Sequence, residues 1–254
     1  MAEPSPRFWE VFFDVYEHLP RQGPGNLESA ARALALCGPL PSAPSVLDLG
    51  CGSSAQTLHL ASLTGGRITA IDSHAPFIAE ARRRLAVAGL LDRVTTVVGD
   101  MAAPPAAAGS IGLIWCEGAA YFLGIDRALR LWQPLLRPGG HLVFTEAVWL
   151  RSDPPEGVRD MWRKEYPAMT DVAGNLALIA RVGGYEMRGH FTLPDAAWWD
   201  DFYTPMEQRI AALRPKYAAE PEATAALDSI AAEIGLHRRF GTWYGYEFFV
   251  LRRR

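Results

Sequence analysis

The stretch Ser45-Val-Leu-Asp-Leu-Gly-Cys-Gly-Ser-Ser54 constrains this chain more than any other, because an apolar run ends on an acid and then breaks into a Gly-x-Gly turn. Val46, Leu47 and Leu49 read as a short buried strand. Gly50 and Gly52 supply a tight turn and a bare backbone that a ligand can approach closely. Asp48 discriminates among ligands. A pyrophosphate seated at such a turn is repelled by a carboxylate two residues ahead of the first Gly. A ligand with a cationic group is drawn to it.

The residues downstream repeat the pattern of a strand closed by an acid or a turn. Arg67 to Asp72 is a strand ending in an acid about twenty residues after the turn, where a ribose-binding carboxylate belongs. Val94 to Met101 gives a third strand ending in Asp100, with Met101 as a flexible apolar surface. Ile111 to Glu117 is a fourth, and the fifth runs His141 to Trp149 after Leu136-Arg-Pro-Gly-Gly140. Helices are expected at about 54–64, 75–89 and 126–135.

With these in place the chain resembles the class I S-adenosylmethionine-dependent methyltransferases over residues 45–150. The carriers are Asp48-Leu-Gly-Cys-Gly52, Ile71-Asp72, Gly99-Asp-Met101, Cys116-Glu-Gly118 and Leu135-Leu-Arg-Pro-Gly-Gly140, all in register. The resemblance implies S-adenosyl-L-methionine as cofactor. It assigns Asp48, Gly50 and Gly52 to the methionine end, Asp72 to the ribose and Asp100 with Met101 to the adenine, and it counts Cys51, Gln56, Ser73, Glu117 and Gly118 among the cofactor-binding residues. Many members carry a third Gly where this chain has Ser54, so the backbone there is expected to differ. The aromatic N-terminal helix, the Arg21-Gln-Gly-Pro-Gly25 link and the Trp243-Tyr-Gly-Tyr-Glu-Phe-Phe249 ending resemble the ubiquinone/menaquinone-type, small-molecule branch.

The expected fold is α/β: a Rossmann-like, doubly wound, seven-stranded and mostly parallel sheet with an antiparallel last strand, an N-terminal lid helix and a small helical cap. Residues 1–40 form the lid and 41–150 the core. Residues 151–183 are two helices, broken near Pro167, over the strand ends, and 184–254 complete the sheet. Phe8 to Leu19 is apolar on almost every face and reads as a helix buried on both sides. Asn26 reads as the cap of the next helix.

A net charge of −3 gives no steering toward nucleic acid. No apolar stretch reaches the eighteen or so residues of a membrane span. The N-terminus, with Glu10 and Asp14, lacks a signal-peptide pattern, so a cytoplasmic protein is expected. Cys37, Cys51 and Cys116 have no metal-ligand spacing and read as reduced thiols. No metal is called for.

The partner is expected to be a small-molecule methyl acceptor walled by Tyr16, Gln22, Tyr121, Trp149, Trp199 and Tyr244. The surplus of aromatics outside the core also allows a homodimer interface. Should the acceptor need a base, the candidates are Glu117, Glu146, Tyr16 and His18, in that order. Two other readings stay open. Gly50-x-Gly52-x-x-Ala55 matches a relaxed dinucleotide fingerprint, as in a nicotinamide oxidoreductase, and a non-catalytic cofactor-binding protein can keep the same fold.

Overall fold

The structure, a computed structural model, describes residues 5–254. Met1 to Pro4 of the expected lid lie outside the described residues. The element order is α1 (Pro6–Tyr16), α2 (Leu27–Cys37), β1 (Ser45–Leu49), α3 (Ala55–Leu63), β2 (Arg67–Asp72), α4 (Ala75–Val87), β3 (Val94–Val98) and β4 (Ile111–Cys116). There follow α5 (Ile125–Trp132), β5 (Leu136–Trp149), α6 (Glu156–Glu165), β6 (Thr170–Asp171), α7 (Val172–Val182) and β7 (Tyr185–Thr192). The short α8 (Ala196–Trp198), α9 (Thr204–Tyr217), α10 (Pro221–Phe240) and β8 (Tyr244–Arg253) complete the chain.

The sheet runs β3-β2-β1-β4-β5-β8-β7. β1 to β5 are parallel, and β8 enters antiparallel between β5 and β7. The seven expected strands are joined by an eighth. β6 is only two residues long and pairs with Val148 and Trp149 at the end of β5. The central strands are covered on both faces, which is why β4 is buried at all six positions and reads as a continuous apolar run. From β1 the chain winds outward to β2 and β3, and from β4 the other way to β5. The strand order therefore reverses between β1 and β4, and the crevice outside their carboxyl ends is where an open α/β sheet takes its ligand.

Two apolar layers flank the sheet. Alternation along β5 sends Val143 and Trp149 toward α2, α3, α4, α9 and α10, and Phe144 and Val148 toward α5 and α7. Here the structure corrects one expectation. Of the two helices in 151–183, α7 does not lie over the strand ends; it packs against α5, because Val172, Leu176, Ile179 and Val182 form a full apolar stripe.

The lid helix also differs from its expected form. It begins at Pro6, a residue suited to the first helical position, with the Ser5 hydroxyl accepting from Phe8 N at 3.1 Å. It ends at Tyr16 rather than Leu19. Val11, Val15 and Tyr16 are buried, but Trp9 is 44% exposed, so only part of the aromatic girdle is covered. α1 packs against α9 and α10. Asp14 fastens it there, accepting from Arg209 Nη2 at 2.6 Å, Lys216 Nζ at 2.5 Å and the Tyr217 hydroxyl at 2.6 Å. Asn26 caps α2 as expected, its Oδ1 accepting from Ser29 N at 2.8 Å. No helix among the described residues is long and apolar enough to cross a membrane.

Candidate functional site

The loop after β1 is built from left-handed residues alternating with ordinary ones. Gly50, Gly52 and Ser54 have φ of 71°, 52° and 72°. The Gly50 and Cys51 N–H groups both donate to Ile71 O, at 2.9 and 3.0 Å, which ties the loop to the end of β2. The Gly52 N–H donates to Asp72 Oδ2 at 2.9 Å, while His74 N–H donates to Asp72 Oδ1, also at 2.9 Å. Asp72 thus stands at the strand end that the sequence indicated and braces the loop. Ser54 is the one non-glycine residue with positive φ among the described residues. A side chain there costs about 1–2 kcal/mol relative to glycine. Its buried hydroxyl has no hydrogen-bond partner, and neither has the Gln56 Nε2.

Asp48 lies beneath the loop, 1% exposed, accepting from the Thr57 hydroxyl of α3 at 2.6 Å. Burial pushes its carboxyl up to about 7, and the nearby acids Glu117 and Asp72 add to the rise while Arg21 opposes it. Three acids and one guanidinium therefore converge on the crevice between β1 and β4. Cys51 is buried, its Sγ against Gly52 O at 3.5 Å, and burial holds its thiol protonated.

Asp100 is exposed, with Oδ1 accepting from Ala102 N at 2.8 Å, so it shapes the turn that follows β3. Met101 is half-buried against the α5 side, and its carbonyl accepts from Trp132 Nε1 at 2.8 Å. Ser73 is exposed just beyond β2.

Glu117, the first-ranked base, is not free to act as one. Its side chain is 5% exposed, Oε2 accepts from Arg21 Nη2 at 2.7 Å, and Oε1 accepts from Trp115 Nε1 at 2.8 Å. It joins the lid link to β4. Arg21 was not singled out in the sequence, because its partner lies 96 residues away and a guanidinium in a Pro/Gly-rich link reads as solvated. Gln22 likewise turns inward. Its Oε1 accepts from Ser53 N at 2.7 Å and Ser53 Oγ at 2.9 Å, and its Nε2 donates to Tyr16 O at 3.1 Å. Gln22 thus clasps the glycine loop, and a Cβ on Gly52 would stand 2.5 Å from its Oε1.

His18 is placed away from the crevice. It is exposed on the outside of the lid, with Nδ1 near Asp14 O at 3.1 Å and Arg209 Nη2 at 3.2 Å, since the chain leaves the helix at Tyr16 and turns it outward. Trp199 is only half-buried, packed on the edge of the core. Its Nε1 donates to Asp195 Oδ2 at 3.1 Å and the Arg238 guanidinium lies 4.8 Å above its ring, on the outer side of the cap. The π-helical turn at 199–203 turns Phe202 and Tyr203 inward instead.

The remaining expected substrate residues gather over the ends of β4, β5 and β8. Tyr16 is buried, stacked on Phe12 with centroids 4.0 Å apart. Tyr121 sits 5.6 Å from Tyr166. Tyr244, fully buried, meets Trp162 edge-on at 5.0 Å and is the register partner of the half-buried Trp149. Glu146 is 2% exposed with both carboxyl oxygens unpartnered, and burial pushes it up to about 8. Tyr246, overlooked in the sequence, follows Tyr244 by two residues and so shares its face of β8. That period-two spacing was the available signal. Its ring comes 3.2 Å from where a Cβ on Gly118 would stand, and the Gly118 N–H donates to Thr145 Oγ1 at 2.8 Å. A separate surface hollow of about 290 Å³, bounded by Leu58, His59, Arg84 and Asp201, lies on the outer side of the lid link and shares only Arg21 with this region.

Residues 46–140, from β1 into β5, match the model of a methyltransferase domain. The chain is similar to malonyl-[acyl-carrier protein] O-methyltransferase of Enterobacter lignolyticus, 32% identical over 151 residues, covering 58% of this chain and 55% of that protein. The chain thus spans about half the length of that curated relative. Its fold matches the S-adenosylmethionine-dependent methyltransferase of Geobacter sulfurreducens, solved with S-adenosyl-L-homocysteine, at a TM-score of 0.81 and 23% identity, over 96% of this chain and 98% of the other. It also matches YjhP of Escherichia coli at a TM-score of 0.80 and 20% identity, over 96% and 100%.

Proposed function

We propose that this protein transfers the methyl group of S-adenosyl-L-methionine to a small-molecule acceptor. The observation that carries this reading is the charge of the crevice: Asp48, Asp72 and Glu117 converge on the glycine loop, and the Arg21 guanidinium among them is paired with Glu117. That balance favours a cationic nucleoside and disfavours the pyrophosphate of a nicotinamide dinucleotide. The residues fit the cofactor on two further counts. The left-handed loop offers bare backbone at Gly50 and Gly52, and the unpartnered Ser54 hydroxyl and Gln56 amide are buried beside it.

When bound, the cofactor supplies an electrophilic methyl group on a sulfonium, which departs from a neutral thioether. Gly50, Gly52, Ser54 and Gln56 would hold the methionine end, Asp72 the ribose hydroxyls, and Asp100 with Met101 the adenine. The task of the protein is alignment, because the sulfonium charge is lost rather than built up. Preorganising two reactants supplies up to roughly 7–11 kcal/mol. The Gln22–Ser53 and Arg21–Glu117 contacts keep the lid on the loop, and α1, α6, α10 and β8 exclude water from the acceptor side.

Calorimetry with S-adenosyl-L-homocysteine and with NADH tests the reading. Binding of the first and not the second is expected. Tight NADH binding without a response to S-adenosyl-L-homocysteine would return the chain to the oxidoreductases.

A further inference from the structure

The methionine end of S-adenosyl-L-methionine carries a carboxylate, and the crevice that would receive it is lined by acids. Asp48 beneath the glycine loop, Asp72 against its backbone and Glu117 at the end of β4 repel a further carboxylate unless a cation or a set of donors meets it there.

The chain leaves such a set open. Arg21 is 5% exposed and comes from the link between α1 and α2. Its Nη2 donates to Glu117 Oε2 at 2.7 Å and its Nε to Gly23 O at 3.1 Å, but Nη1 finds only Gln56 Oε1, at 3.5 Å. A guanidinium has five donors, and the Nη1 edge of this one is barely used. Gln56, also 5% exposed, turns Oε1 toward Arg21 and leaves Nε2 without a partner among the described residues. The fully buried Ser54 hydroxyl has none either.

Ser54 and Gln56 flank Ala55, the first residue of α3. The Ser54 side chain does not cap this helix and no acid stands in its first turn, so the positive end of its dipole adds to the same donors. Neighbouring acceptors are taken. Asp72 receives two amides, Gln22 Oε1 receives Ser53, and Glu117 receives Arg21 and Trp115. Each side chain left open at the start of α3 can donate, which makes the place complementary to a carboxylate.

We infer that Arg21 holds the carboxylate of the cofactor's methionine end through its Nη1 edge, with the Ser54 hydroxyl, the Gln56 amide and the amino end of α3 completing the set. This rests on the methyl-transfer reading above. Glu117, paired at Nη2, keeps the guanidinium in place. Bare backbone closes over the pair, since a Cβ on Gly25 would collide with Arg21 Nη2 and stand 2.5 Å from Glu117 Oε2. Arg21 precedes the residues 46–140 of the domain match, so the lid link supplies a cofactor contact that the core lacks, and a bound carboxylate fastens the lid in turn.

The test reads binding rather than turnover. Calorimetry compares S-adenosyl-L-homocysteine with its decarboxylated form and with methylthioadenosine, which lacks the whole amino-acid end. The decarboxylated form is the more cationic, so an acidic crevice without an anchor would prefer it. The unaltered protein is expected to bind S-adenosyl-L-homocysteine at least ~10-fold more tightly than the decarboxylated form. Arg21→Gln should cut that preference to about 2-fold or reverse it, while methylthioadenosine binds within about 2-fold of its original affinity. Arg21→Gln combined with Glu117→Gln strands no buried acid and should bring the two ligands within about 3-fold of each other, so the comparison stands even where the single variant fails to fold. The inference is overturned if the unaltered protein shows no preference for the carboxylate, or if the preference persists at full size in the variants. It is equally overturned if methylthioadenosine affinity falls as far as that of S-adenosyl-L-homocysteine, which would mark Arg21 as structural. Failure of the unaltered protein to bind any of the three would instead remove the methyl-transfer reading, and this inference with it.

Discussion

Replacing Glu146 by Gln should make the protein more stable, and increasingly so as pH rises. Burial lifts this carboxyl from 4.5 to about 8, with no ion pair to offset the desolvation. Its cross-strand neighbour Glu247 gives no relief, since its own oxygens accept from Thr192 Oγ1 and contact His190 Nδ1. The folded chain holds a proton that the unfolded chain releases. Stability is therefore unaffected below the unfolded value, falls as pH rises through the interval, and levels off above the folded value. The gap of roughly 3.5 units at 1.36 kcal/mol per unit sets an upper bound of about 5 kcal/mol, and partial relaxation brings the expected effect to about 3 kcal/mol. Glutamine keeps the shape and carries no charge. Urea unfolding of both proteins at about pH 5 and about pH 8.5 reads the difference directly. The gain should be under about 1 kcal/mol at the lower pH and about 3 kcal/mol at the higher. An advantage of equal size at both values would show that Glu146 carries no perturbed titration.

Other substitutions probe the cofactor side. Ser54→Gly relieves a left-handed side chain and should raise unfolding stability by about 1 kcal/mol, while S-adenosyl-L-homocysteine affinity, read by calorimetry, falls if the hydroxyl holds the ligand. Gly52→Ala forces a Cβ onto Gln22 Oε1 at positive φ and should cost about 2 kcal/mol by urea unfolding; adding Gln22→Ala should recover part, and strict additivity would deny the clasp. Arg21→Ala strands the Glu117 carboxylate and should cost about 3–5 kcal/mol, with Glu117→Gln in the same chain restoring at least half of it. Asp72→Ala takes away the acceptor for two backbone N–H groups and the acid proposed for the ribose, so S-adenosyl-L-homocysteine should bind ~10-fold more weakly or worse; unchanged binding would remove Asp72 from that role.

What the sequence disclosed and what it withheld follow from the range of the interactions involved. The loop after β1 and the strands of the core are local features, written in consecutive residues whose period and turn chemistry do not depend on distant partners. The last strand was legible as an apolar run, but its antiparallel direction came only with the family resemblance, since its residues are buried almost without alternation. Arg21 and Glu233 were invisible for the opposite reason. One acquires its meaning from an acid 96 residues away, and the other, on α10, from the Tyr203 hydroxyl that donates to it from the 199–203 turn. Glu117 was chosen as a base by its position at a strand end, which is a local property. Its engagement by Arg21 and Trp115 is not. His18 and Trp199 were misplaced by phase, since a helix that ends at Tyr16 leaves His18 exposed and a π-helical turn at 199–203 buries Phe202 and Tyr203 while Trp199 stays half-buried at the edge of the core.

The two sides of the site differ in how far the chain satisfies itself. Around the glycine loop each acid has an internal partner, Asp48 with Thr57, Asp72 with two amides and Glu117 with Arg21 and Trp115, while the Ser54 hydroxyl and Gln56 Nε2 stay open. Over the ends of β5 and β8, by contrast, Glu146, the Tyr244 hydroxyl and Trp162 Nε1 are buried without partners. Groups like these destabilise the free protein and are compensated when a ligand supplies the missing contacts. They come from α6, β8 and the end of β5, beyond the residues 46–140 that match the methyltransferase domain family. On the proposed methyl-transfer reading, selectivity for the acceptor is carried by these segments, and exchanging them between relatives that share only the core should change the acceptor while leaving affinity for S-adenosyl-L-homocysteine in place.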